Sequence, residues 1–73
     1  MKQFDKITAT FRPRRTDSLI AGAEKWIGYR GVWQAAYILE EGAYAGEWAM
    51  ECVDDPTRWD MPFAWVPITD LEV

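Results

Sequence analysis

The residue types that could do chemistry are few. The chain holds no histidine and one cysteine. Lack of histidine removes the commonest general base and the commonest transition-metal ligand. With one thiol besides, no structural zinc site can be assembled from this chain. Cys52 follows Glu51 and precedes Val53, Asp54 and Asp55. A nucleophilic thiolate needs electropositive neighbours, so this thiol reads as a packing group. Glu40-Glu41 and Asp54-Asp55 are adjacent pairs. On a strand or turn their side chains diverge, whereas a working carboxylate pair faces itself across a cleft at fixed separation. Asp54, Asp55 and Asp60 together fall short of the ligand density of a dedicated calcium loop. Phosphate-cradling glycine patterns are absent. The sequence therefore reads as non-enzymatic, with no cofactor and no metal.

Charge offers a different chemistry. Residues 1–36 carry seven basic side chains against three acids, whereas residues 37–73 carry Arg58 alone against nine acids. Arg12-Pro13-Arg14-Arg15, with Arg30, is the candidate anion contact, and nearby rings could stack on bases. A nucleic-acid-binding module is accordingly the alternative reading. The isoelectric point near 4.6 weighs against it, because nucleic-acid modules are usually basic throughout. Halves of opposite sign also suit head-to-tail self-association, hence a homodimer. A plainer expectation is that strands from both halves interleave and the charges mix over the surface.

The strongest signal is aromatic: five Trp, three Tyr and three Phe in 73 residues. Each ring buries roughly 150–250 Å², and so small a domain cannot enclose them all. Rings left outside a core mark contact surfaces, and Trp and Tyr dominate interface hot spots. Tyr29, Trp33, Tyr44, Trp48 and Trp59 are the candidate ligand-binding residues, with an unidentified protein or peptide as partner.

Short alternating strands must position these rings. Ile7-Thr8-Ala9-Thr10-Phe11 alternates as a half-buried strand, ended by Pro13. Over residues 17–27, Leu19, Ile20, Ala23, Trp26 and Ile27 fall at helical spacing, with Asp17 or Ser18 as cap and Gly28 as stop. Gly22 opposes that helix, and an extended loop turning at Gly22 and Gly28 is the competing reading. From Val32 the chain alternates again, placing Trp33, Ala35, Tyr37 and Leu39 on one face. Gly42 and Gly46 suit a hairpin connection into a returning strand, Glu47 to Val53. Asp54-Asp55-Pro56-Thr57 has turn chemistry. Phe63 to Val66 reads as a strand stopped by Pro67, and Ile68 to Leu71 as one helical turn before a last strand residue or two.

The pattern predicts a mainly β single domain over 1–73: a small barrel or a strongly bent antiparallel sheet. The ending Trp65-Val66-Pro67-Ile68-Thr69-Asp70-Leu71-Glu72-Val73 resembles the close of SH3-like barrels, where a strand passes through a single helical turn into a final strand. Trp26-Ile27-Gly28-Tyr29-Arg30-Gly31-Val32 is similar to the glycine-punctuated strand entry of KOW- and Tudor-type members. The acidic, tyrosine-rich motif that opens peptide-binding SH3 domains is missing. The longest apolar-leaning run, Val32 to Leu39, is too short to span a bilayer. No signal-peptide pattern opens the chain, and a lone cysteine fits a reducing compartment, so a cytoplasmic location is expected.

Overall fold

The computed structural model describes residues 1–14, 20–54 and 60–73. Strands β1 (Lys6–Phe11), β2 (Arg30–Ile38), β3 (Trp48–Cys52), β4 (Val66–Pro67) and β5 (Leu71–Glu72) form one sheet in the order β4-β3-β2-β1-β5. Every pairing is antiparallel, and the sheet curls into a nearly closed barrel. A 3-10 turn over Ile68–Asp70 links β4 to β5, as the sequence predicts for this corner.

Alternation explains the core. Ile7, Ala9 and Phe11 point inward from β1, Trp33 and Ala35 from β2, and Met50 and Cys52 from β3, with Val66 joining from β4. Trp33 is the hub: it is fully buried, and its indole Nε1–H donates to the Ala9 carbonyl at 3.1 Å. A buried indole N–H without a partner would cost about 1–3 kcal/mol, so this bond fixes the ring as well as filling space. The Phe11 ring lies 6.3 Å from Trp33 and 5.3 Å from Phe63, carrying the ring cluster outward from the centre.

Three local features depart from the sequence expectation. Within the described part of 17–27 there is no α-helix, only a 3-10 turn over Ala23–Trp26. Gly22 precedes it in the left-handed region at φ 91° and Gly28 follows it at φ 89°, so backbone reversals bracket the turn. The Leu19 end and the proposed caps lie outside the described residues. Second, a bulge interrupts the β2–β3 register between Ala35 and Tyr37. One extra residue reverses the alternation, so Tyr37 leaves the face of Trp33 and Ala35 and turns outward. Third, the last ladder begins at Val66 rather than Phe63, and Pro67 belongs to it, opposite Ala49. Proline is tolerated there because β4 is an edge strand. The Asp55–Thr57 part of the predicted turn lies outside the described residues.

Candidate functional site

Phe11 closes β1 at a surface groove of about 240 Å³. Ile20 and Ala23 from the β1–β2 connection form one wall, and Tyr44 from the β2–β3 loop forms another. Phe63 to Pro67 and Asp70 complete the lining. The run Phe63–Trp65 makes no ladder, which leaves its rings available to this surface rather than pinned in a sheet. Ile20 is 55 % exposed, an apolar side chain standing at the groove with over half of its surface open to solvent.

A polar network ties the walls together. Asp70 is buried, and its carboxylate accepts the Arg14 backbone N–H at 3.2 Å and pairs with the Arg14 guanidinium at 3.6 Å. The Arg12 N–H donates to the Asp70 carbonyl at 2.7 Å. Arg14 reaches Glu47 at 3.2 Å and stacks over the Tyr44 ring, 5.5 Å from its centroid. The Glu47 carboxylate also accepts the Thr69 hydroxyl and the Thr69 N–H. Three chain segments remote in sequence therefore meet at Arg14: the loop following β1, the β2–β3 loop and the last 3-10 turn.

The sequence-predicted residues separate under this geometry. Tyr44 lines the groove. Trp33 does not line this groove: at 0 % exposure it is the centre of the core, and it edges a second cleft beside Cys52 and Met61. Its strand has partners on both sides and its inward face is enclosed. Tyr29 and Trp48 are half-buried and pack against the core cluster. The Tyr29 hydroxyl donates to Asp54 at 2.9 Å, and the Val32 N–H donates to the same oxygen at 2.8 Å. Asp54 thus staples the start of β2 to the end of β3. Trp59 and Arg15 lie outside the described residues.

The arginines among the described residues are engaged locally. Arg12 pairs with Glu72 at 3.0 Å, and Arg30 donates to the Thr10 hydroxyl at 3.1 Å. Since β1 pairs with both β2 and β5, the basic first half and the acidic second half interleave, and their charges meet in pairs. Phe11, Ile20, Phe63, Trp65 and Pro67 were not among the predicted contact residues. Phe63 and Trp65 belong to the ring surplus, which is the signal that could have found them. Among the described residues, no group of three or more His, Cys, Asp and Glu is placed to hold a metal ion. No described helix is long and apolar enough to cross a membrane. Comparison with protein families, curated proteins and solved structures returns no match for this chain.

Proposed function

We propose that the chain is a non-enzymatic binding module that holds an extended segment of a protein partner in the aromatic groove. The carrying observation is the groove itself, where Tyr44, Phe63, Trp65, Pro67 and exposed Ile20 converge. Its volume of about 240 Å³ lies below the ~300–1,000 Å³ of sites that engulf a small ligand. It suits one or two anchoring side chains of a longer chain. Aromatic walls supply contact area with little loss of side-chain entropy, as binding grooves for extended peptides do.

The barrel is read as SH3-like. The strand order β4-β3-β2-β1-β5 and the 3-10 turn between the last two strands support that reading. A non-enzymatic role is supported by the acid in the groove wall, since Asp70 is committed to Arg14 by backbone and guanidinium contacts. Nucleic-acid contact has less support, because Arg12 and Arg14 already face carboxylates that a phosphate would have to displace.

Peptides selected from a random displayed library against the wild-type chain provide the probe. Tyr44→Ala and Ile20→Ser should each weaken the selected peptides about tenfold, roughly 1.4 kcal/mol, with the melting temperature nearly unchanged. Selection that yields no binder, or binders indifferent to both substitutions, defeats the proposal.

A further inference from the structure

Asp70 lines the aromatic groove at 6 % exposure, and its engagement is one-sided. Oδ1 accepts the Arg14 backbone N–H at 3.2 Å and faces the Arg14 guanidinium at 3.6 Å. Oδ2 receives no hydrogen bond from the described residues. Among those residues Trp26 Nε1 is the one fully enclosed side-chain polar atom without a partner. Oδ2 is therefore not sealed off, and the space that Asp70 borders is the groove. An ionised carboxylate accepts on both oxygens, and one set this deep is poorly served by bulk water.

The charges around that oxygen favour a cation. Arg14 stands against two carboxylates, Asp70 and Glu47. The second Glu47 oxygen is taken by Thr69, so this trio keeps one excess negative charge. The wider surroundings have the same sign. The described segments around the groove, 12–14, 20–28, 39–47 and 60–72, carry Arg12, Arg14 and Lys25 against seven acids. Arg12 is itself paired with Glu72. Apolar walls focus such a field into the groove, and the faces of Tyr44, Phe63 and Trp65 also attract positive charge.

We propose that the groove selects a lysine of the partner segment, whose ammonium donates to Asp70 Oδ2. The proposal rests on the reading of the groove as a peptide site and names the anchor. One free oxygen decides between the basic side chains. A guanidinium fork matches both oxygens of a carboxylate, and here Arg14 already holds Oδ1. An ammonium is a point donor that a single oxygen satisfies. The lysine stem lies along the aromatic walls while its head reaches the acid.

Peptides selected against the wild-type chain from a random displayed library test the anchor. Binders that depend on Tyr44 should share a lysine at one fixed position. Norleucine there keeps the stem, drops the ammonium and should weaken binding at least about tenfold. Trimethyl-lysine keeps the charge, drops every N–H and should also lose about tenfold. In the chain, Asp70→Asn keeps an acceptor for the Arg14 N–H. It should weaken the lysine peptide about tenfold and leave the norleucine peptide within about twofold. Glu51→Gln removes an exposed acid of β3 that does not line the groove, and should change affinity by less than about twofold. The peptide series against the unaltered chain decides the matter even where Asp70→Asn unfolds. Tyr44-dependent binders without a shared lysine overturn the anchor and leave the groove reading standing. Binders indifferent to Tyr44→Ala, or no binders, overturn both. The anchor also falls if trimethyl-lysine binds as tightly as lysine, if folded Asp70→Asn binds like wild type, or if Glu51→Gln weakens binding equally.

Discussion

Replacing Gly31 with Ala tests the physical account of how β2 is seated. A Cβ at this position would lie 2.6 Å from the Tyr29 ring edge and 2.7 Å from its hydroxyl, and would overlap the Asp54 carboxylate outright. Contacts under about 3 Å are essentially never made by real Cβ atoms, so the neighbours must move. Asp54 cannot retreat cheaply, because the displaced oxygen accepts both the Tyr29 hydroxyl and the Val32 N–H. Hydrogen bonds to a charged group are worth about 1.5–3 kcal/mol each, and overpacking alone costs about 1–3 kcal/mol. Against this stands a gain of about 0.4–1 kcal/mol from the stiffer unfolded chain. With the smallest of these costs and the largest gain, the net loss is still about 3 kcal/mol. For a domain this small, each kcal/mol moves the midpoint by about 4–8 °C, which implies a drop of roughly 12–24 °C. Urea denaturation followed by tryptophan fluorescence measures the loss, and repeating it in an Asp54→Ala background isolates the carboxylate. There the added cost of Gly31→Ala should shrink by at least about 1 kcal/mol, since the hardest clash is gone. A loss below about 1 kcal/mol in the wild-type background, or a cost unchanged by Asp54→Ala, would refute the staple.

Trp33→Phe should destabilise the chain by about 2–4 kcal/mol, combining a cavity with the loss of the bond to the Ala9 carbonyl. A loss under about 1 kcal/mol by chemical denaturation would mean that the indole N–H contributes nothing. Asp70→Ala should cost about 2 kcal/mol, because it strips the buried acceptor from the Arg14 N–H. Arg14→Ala should cost under about 1 kcal/mol, its guanidinium being half exposed in both ion pairs. Equal losses in those two variants would assign the anchoring to the guanidinium rather than to the backbone bond.

Much of the fold was legible because alternation survives wherever a strand has one buried face. Ile7, Ala9 and Phe11 needed only a period of two to be placed inward. The bulge in β2 was not legible: Ala36 is as compatible with a regular strand as with an extra residue, and only pairing with β3 distinguishes them. Of the two readings left open for 17–27, the chain turning at Gly22 and Gly28 holds over the described part and the helix does not, because both glycines adopt left-handed backbone on either side of a 3-10 turn. Charge mixing was one of the alternatives that the sequence left open. It is decided by topology, since β5 pairs with β1 and thereby sets Glu72 opposite Thr10, within reach of Arg12.

The site was legible as a surplus but not as a place. Trp33 and Tyr44 carry the same signature, a large ring near a glycine in an apolar stretch, and they end in opposite environments. Trp33 stands on the strand that has neighbours on both sides, so curling of the sheet encloses its inner face completely. Tyr44 stands in a loop whose Gly42 and Gly46 both adopt positive φ. Those reversals return the chain to Leu39, where Gly46 N–H donates to the Leu39 carbonyl at 2.7 Å, and they set the ring beside Arg14. Whether a ring becomes core or contact is thus decided by which strand order the chain closes and where glycine releases the backbone. Composition can say that some rings must lie outside, and the closure of the barrel then selects them.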